Sequence, residues 1–174
     1  MVKTESSIGV DTRLLSRILT EGYGPGAWHG ADIKAAIADV SPEAAQRRPA
    51  GLRPSASSGL RHNIAEIVLH HAYYVHSVRG RLTTVKPEPF PLSGDDWFVV
   101  DAGAGPAWDE AQRILEQQYA KLASLVQDIG SGAATVVVDG DAAFEMILGL
   151  SCHSAYHAGQ IQLIKILAAE PATV

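Results

Sequence analysis

Apolar residues recur at intervals of three and four along most of the chain, and this spacing predicts four long amphipathic α-helices. Asp11 and Asp141 stand where helix N-caps are expected, and Pro106 occupies a tolerated first-turn position. The predicted helices cover residues 11–22, 59–82, 106–130 and 141–169. Almost no strand signal accompanies them. The pattern therefore predicts an all-α fold, a four-helix bundle, in a single domain over residues 11–170.

The segments between the predicted helices are unequal in length and composition. A short extra helix is expected around Ile33, Ala36 and Ile37, after the first long helix. The stretch from Thr83 to Gly105 is long for a connection in a compact domain, and such loops are often functional. The remaining expectations are a frayed tail at 1–10, a connection at 41–58 with one helical turn after Ser41-Pro42, and a short strand or extended arm at 135–138.

Three polar residues occupy the middle of an apolar stripe on the fourth predicted helix. The stripe runs through Met146, Leu150, His153, His157, Gln160, Ile164 and Leu167. A bundle buries such a stripe, and buried imidazoles and amides are costly without partners. A metal ion is the simplest compensation, because imidazoles four residues apart on a helix can converge on one cation. The alternative is a neutral hydrogen-bonded network with buried water.

A further metal ligand is expected from the second predicted helix, because two imidazoles alone make a weak site. Four histidines are available there: His62, His70, His71 and His76. Spacing favours His71, which is in register with Ile67 and Val78. His70 lies about 100° around the helix, on the side of Glu66. Periodicity therefore leaves the third ligand open.

Composition narrows the classes of function. The chain has 174 residues, a net charge of −5 and one cysteine, Cys152. The acidic balance argues against nucleic-acid binding, and a single cysteine excludes an intrachain disulfide and a cysteine-based zinc cage. The first ten residues lack the features of a signal peptide, and no apolar run reaches the roughly 20 residues of a membrane span. We expect a cytoplasmic protein with no nucleic-acid or membrane partner, in which Cys152 is a small core residue.

Several segments resemble the DinB-like (damage-inducible) superfamily of metal-dependent enzymes, and the resemblance extends over most of the chain. Its C-terminal motif, His, three residues, His and then Gly-Gln-Ile, is matched by GLSCHSAYHAGQI at 149–161. The other matching segments are GAWHG at 26–30, IAEIVLH at 64–70 with Leu82 twelve residues on, DW at 96–97 and AW at 107–108.

The resemblance implies a four-helix bundle in which His70, His153 and His157 bind a divalent metal, usually zinc or nickel, with positions open to water. His71, the alternative to His70, stands where the family usually has an aliphatic residue. By their spacing, Gln160, three residues past His157, is a candidate for orienting a ligand or bound water, and Glu66, four residues before His70, for accepting the His70 N–H or acting as a base. A purely structural role is the alternative for each. No residue is assigned to an organic cofactor.

The family includes hydrolases and thiol-dependent S-transferases that use a low-molecular-weight thiol, and its members often form homodimers. We therefore expect either activity on a small-molecule substrate. A non-catalytic, stress-associated metal-binding bundle is the alternative function.

Overall fold

The computed structural model of the chain describes residues 9–48 and 62–169, which are mostly helical. The all-α prediction is confirmed, since these residues form six helices and no strand. The helices are α1 (Thr12–Tyr23), α2 (Ile33–Ile37), α3 (Pro42–Gln46), α4 (Ile64–Leu82), α5 (Trp108–Ser131) and α6 (Gly140–Ala169). The predictions for residues 1–8, 49–61 and 170 lie outside the described residues.

The first and second predicted helices begin at side chains that cap their free N–H groups. Asp11 accepts hydrogen bonds from two backbone N–H groups of the first turn of α1, as predicted. The second helix was predicted from residue 59, but α4 begins at Ile64. Asn63 explains the later start, because its side chain accepts from the backbone of Glu66 while the Glu66 carboxylate accepts from the backbone of Asn63. This reciprocal capping box ends the extended backbone and begins the helix.

The last two helices begin within two residues of the predicted positions. α5 begins at Trp108, so Pro106 precedes the helix rather than occupying its first turn. At the start of α6 the predicted cap is wrong. Asp139, not Asp141, accepts the backbone N–H of Ala142, at 2.7 Å, and Asp141 lies inside the first turn. An acid in that position still interacts favourably with the helix dipole.

The predicted extended arm at 135–138 does not form a strand. Val136 makes one isolated bridge with Thr83, and the Val137 N–H donates to the Leu82 carbonyl at 3.0 Å. The arm therefore pairs only with the end of α4.

The core lies between the four longer helices. α1 packs against α5 and α6, and α4 packs against the same two helices. The short α2 packs on α6, and α3 packs on α4 and α5. Side chains with almost no exposed surface fill the interior, among them Leu69, Leu115, Leu122, Ile147 and Ile161.

The loop at 83–105 covers a second side of α4. Phe98 and Val100 of this loop are buried, and Trp97 packs against the core, so these side chains hold the loop against the helices. Every residue of α4 from Ile64 to Ala72 is buried as a result. α4 therefore has no solvent-facing side over its first half.

α1 and α6 approach each other closely at a glycine of α1. A Cβ built on Gly22 would lie 2.9 Å from the Oγ and 3.0 Å from the Cα of Ser151. Only glycine allows this spacing without movement of one helix.

No helix within residues 9–48 and 62–169 combines the length and the apolar character that crossing a bilayer requires.

Candidate metal centre

Three histidines from two helices converge in the interior. His70 comes from α4, and His153 and His157 come from α6. One ring nitrogen of each lies within 4.8 Å of the others, so the three could hold a metal ion. His70 and His157 are buried and His153 is half-buried. The four-residue spacing on α6 puts two rings one above the other, and α4 supplies the third from the facing side.

His71 lies outside this cluster although it is completely buried. Its Nδ1 is 3.0 Å from Nδ1 of His153, on the edge of that ring that faces away from His157. Its Nε2 is 2.6 Å from the hydroxyl of Tyr119 on α5. Periodicity correctly predicted a buried His71, but His70 is the histidine that joins the cluster.

The outer nitrogens of two cluster rings donate hydrogen bonds to carbonyl oxygens. Nδ1–H of His70 donates to the backbone carbonyl of Asp96 at 2.9 Å, and Nδ1–H of His157 donates to Oε1 of Gln160 at 2.7 Å. Carbonyl oxygens only accept, so the proton of each neutral ring is on Nδ1. The lone pair is therefore on Nε2 in both rings. Gln160 thus orients His157, and its amide nitrogen donates to the hydroxyl of Tyr156 at 2.9 Å.

The two rings of α6 face each other through their inner nitrogens. Nε2 of His153 is 2.9 Å from Nε2 of His157. Nitrogens that share one tetrahedral zinc ion stand roughly 3.3 Å apart, given bonds of 2.0–2.1 Å. The observed pair is about 0.4 Å closer than that, and the three donor nitrogens all lie within 4.8 Å of one another, so the donor set is compact enough to hold such an ion after small movements of the rings.

Burial keeps these imidazoles neutral. Burial, with a smaller contribution from positive charge on neighbouring histidines, lowers the pKa of His153 to about 4 and that of His157 to about 3. Burial also lowers the pKa of His70, against a smaller opposing effect of Asp96. Neutral imidazole is the form that binds metals. The cluster therefore presents unprotonated donors at neutral pH.

Glu66 does not reach the cluster, although a place beside the metal was expected for it. Its carboxylate accepts two hydrogen bonds from Arg48, one from Nδ1 of His62, and backbone N–H bonds from Asn63 and Val100. The N–H of His70 goes instead to the Asp96 carbonyl. These contacts give Glu66 a structural role at the start of α4.

Sequence reasoning missed the contacts that the loop makes with the cluster. Trp97 stacks on His70, with ring centroids 3.8 Å apart, and its other face stacks on His62 at 3.5 Å. The Asp96 carboxylate is 3.6 Å from Nδ1 of His70. The Asp96-Trp97 pair was noticed only as a family segment, and nothing local to it indicates which helix it meets.

Two tyrosines flank the exposed side of the cluster. Tyr74 is 39% exposed and Tyr156 is 62% exposed. The Tyr74 hydroxyl donates to the Asp96 carboxylate at 3.2 Å, and its ring lies 4.9 Å from that of His153. The half-buried His153 is thus bordered by aromatic side chains that contact solvent.

Cys152 is exposed, so its interpretation as a core residue is wrong. It precedes His153 by one residue, which turns it about 100° away, onto the outer face of α6.

Comparisons with protein-family models, with curated proteins and with solved structures each found no match. A proposal about function therefore rests on the geometry of the site and on the resemblance of its motifs.

Proposed function

We propose that this chain is a metal-dependent enzyme of the DinB-like superfamily, a four-helix bundle whose His70, His153 and His157 hold zinc or nickel. The observation that carries the proposal is the convergence of three neutral ring nitrogens within 4.8 Å. The mutual packing of α1, α4, α5 and α6 supports the bundle arrangement.

The reaction we propose is hydrolysis, or transfer of a small electrophile to a low-molecular-weight thiol. A divalent ion held by three neutral imidazoles keeps its positive charge and promotes the ionisation of water or of a thiol. The chain itself supplies a site bordered by aromatic rings, in which the exposed Tyr74 and Tyr156 favour an apolar or aromatic substrate. Asp96 provides a carboxylate at the rim, where a proton released by water or thiol can be taken up.

Metal content tests the site directly. We expect wild-type protein loaded with zinc or nickel and then desalted to retain one ion per chain by elemental analysis. His157→Ala should lose that ion while keeping its helical circular dichroism, because the ring is a ligand and alanine favours the helix. His76→Ala is the matched control, since His76 also lies on the bundle helices but hydrogen-bonds Gln118 outside the cluster. Equal metal content in His157→Ala and the wild type would refute the centre.

A second comparison distinguishes the two candidate ligands of α4. His70→Ala should abolish metal retention, whereas His71→Ala should weaken it, since His71 touches only the outer edge of His153. Loss of the ion in His71→Ala with full retention in His70→Ala would reverse the assignment.

The catalytic role and the non-catalytic alternative differ in turnover. The metal-loaded protein is incubated with test esters, and with thiols plus alkylating electrophiles, and product formation is compared with that of His157→Ala. Metal-dependent turnover supports the enzyme. A protein that binds the ion, gains stability from it and turns over none of these substrates is a metal-binding bundle.

A further inference from the structure

A chain of hydrogen bonds leads from the outer edge of His153 through residues of four helices, α4, α5, α6 and α1. Nδ1 of His153 is 3.0 Å from Nδ1 of His71, and Nε2 of His71 is 2.6 Å from the Tyr119 hydroxyl. That hydroxyl is 3.4 Å from Oγ of Ser154, which is 2.7 Å from the carbonyl of Gly22. His71, Tyr119, Ser154 and Gly22 are buried. We call these four residues the relay.

The carbonyl at the end of the relay fixes the direction of the last bond. Gly22 is in the last turn of α1, where carbonyls have no partner within the helix, and a carbonyl can only accept. The single hydroxyl proton of Ser154 is therefore donated to Gly22. The Tyr119 hydroxyl then has two possible acceptors, Oγ of Ser154 at 3.4 Å and Nε2 of His71 at 2.6 Å. When Tyr119 donates to Ser154, its oxygen accepts from His71, and this is the direction that leaves Nε2 of His153 free for a cation.

The same reasoning continues into the cluster. In that direction neutral His71 carries its proton on Nε2, so its Nδ1 has a lone pair and accepts from Nδ1–H of His153. His153 then has its lone pair on Nε2, the nitrogen that faces His157. A ring with its proton on Nε2 would have to lose that proton before it could bind a cation.

We infer that His71 and Tyr119 are positioning residues, which hold His153 in the tautomer that presents a lone pair to the cluster. His71 and Tyr119 do so without contact with the cluster's interior, since they act on the outer nitrogen of one ring. Two of the three cluster rings are oriented by carbonyl acceptors, and the relay performs the same task for the third.

Nuclear magnetic resonance of the full chain, labelled with 15N in histidine, tests the direction of the relay. At pH 7.5 we expect the ring proton on Nε2 in His71 and on Nδ1 in His70, His153 and His157. The pattern is expected with and without zinc, because no bond of the relay includes the ion. A proton on Nδ1 of His71 would overturn the inference. This measurement decides the relay even if the proposed function fails and the chain binds no metal.

A second experiment measures metal binding with zinc as the probe, and it rests on the proposed function. Tyr119→Phe removes the acceptor for His71, so His71 can move its proton to Nδ1 and force His153 into the unfavourable tautomer. We expect the zinc dissociation constant to rise roughly tenfold, the lower end of the effect of altering a partner of a metal ligand. Tyr23→Phe is the matched control, because Tyr23 stacks on Tyr119 at 4.1 Å but its hydroxyl is outside the relay. Unchanged zinc affinity in Tyr119→Phe would overturn the inference.

A second pair of variants separates tautomer control from packing. His71→Asn retains a side-chain oxygen near the position of Nδ1, whereas His71→Leu fills similar space with no acceptor. We expect the asparagine variant to keep most of the zinc affinity and the leucine variant to lose tenfold or more. Equal affinities in the two variants would show that His71 acts only by filling space. Thermal unfolding of each variant verifies that the comparison is made on folded protein.

Discussion

Replacing Glu66 with glutamine should destabilise the fold and leave the metal site intact. The carboxylate side chain is 3% exposed. The carboxylate accepts two hydrogen bonds from the Arg48 guanidinium, one of them at 2.9 Å, and one from His62 at 3.1 Å. It also accepts hydrogen bonds from the backbone N–H groups of Asn63 and Val100. Glu66 thus joins the start of α4 to the chain after α3 and to the loop that covers α4.

The size of the loss follows from the burial of the pair. Glu66→Gln keeps the side-chain volume but removes the charge and turns an NH2 group towards donors. Breaking a buried ion pair costs about 3–5 kcal/mol. The Arg48 side chain is 32% exposed and can be partly solvated, so we expect the lower end, about 3 kcal/mol. In a domain of this length that corresponds to a decrease in melting temperature of roughly 6–12 °C.

Glu88→Gln is the matched control for this experiment. Glu88 also pairs with two cations, Arg79 and Lys121, but its side chain is 48% exposed. Water and salt screen such pairs, so the same substitution there should cost less than about 1 kcal/mol.

Urea and thermal unfolding followed by circular dichroism measure the two losses, and a zinc titration of each variant accompanies them. Glu66→Gln should bind zinc like the wild type, because the N–H of His70 goes to the Asp96 carbonyl. An unchanged unfolding midpoint together with lost zinc binding would refute this reasoning. Glu66 would then act on the metal site, as its place in the sequence had led us to expect.

Two further predictions concern acid stability and helix packing. The pKa values of His153 and His157 are about 4 and about 3 in the folded chain, against 6.5 for unfolded histidine. As the pH falls, the histidines of the unfolded state therefore take up protons first. The free energy of unfolding should be at its full value above about pH 6.5 and should decrease by a few kcal/mol towards pH 4. Urea midpoints that do not change over that range would contradict this. Gly22→Ala should cost about 1–3 kcal/mol in urea unfolding, because the new Cβ would meet Ser151 at 2.9 Å. Gly149→Ala in α6 is the control, because a Cβ at that position would meet nothing within 4 Å. That substitution should stabilise the fold by up to about 1 kcal/mol. Equal effects of the two substitutions would contradict the close approach of Gly22 to Ser151.

Helix positions were predictable because helix ends depend on neighbouring residues. The cap at Asp11 and the end of α4 at Leu82 follow from spacing and capping preferences alone. The start of α6 was less certain, since Asp139 and Asp141 flank Gly140 and both are good caps. Only the direction of the incoming backbone determines which of them accepts the first N–H groups.

The spacing of apolar residues could not show whether His70 or His71 is the third ligand. A single buried stripe identifies ligands only when the opposite side of the helix is exposed. The loop at 83–105 covers that opposite side of α4, so adjacent residues are both buried. His70 then meets Trp97 and the Asp96 carbonyl, which lie 27 and 26 residues further along the chain. Neither contact can be predicted from the spacing of residues in α4.

The relay, too, could be predicted only in part from the sequence. Tyr119 is in register with Leu115 and Leu122, which indicates a buried ring. A buried tyrosine hydroxyl usually has a hydrogen-bond partner, so a partner could be expected from sequence. Its identity could not, because His71 and Ser154 are 48 and 35 residues away and meet Tyr119 only through helix packing.

The two edges of the histidine cluster differ in how well they are satisfied, and this difference argues for a cation. The outer nitrogens of His70, His153 and His157 have partners in Asp96, His71 and Gln160. Among the described residues, the inner nitrogens of His153 and His157 have only each other, 2.9 Å apart, and in the tautomers inferred above their lone pairs repel at that distance. An added proton would relieve the repulsion, but the pKa values of about 4 and about 3 mean that neither ring takes one up at neutral pH. The proton of neutral His153 would relieve it only if the relay ran in the opposite direction. A divalent ion satisfies all three nitrogens without a proton, which is why we favour a metal centre over a network of hydrogen bonds alone.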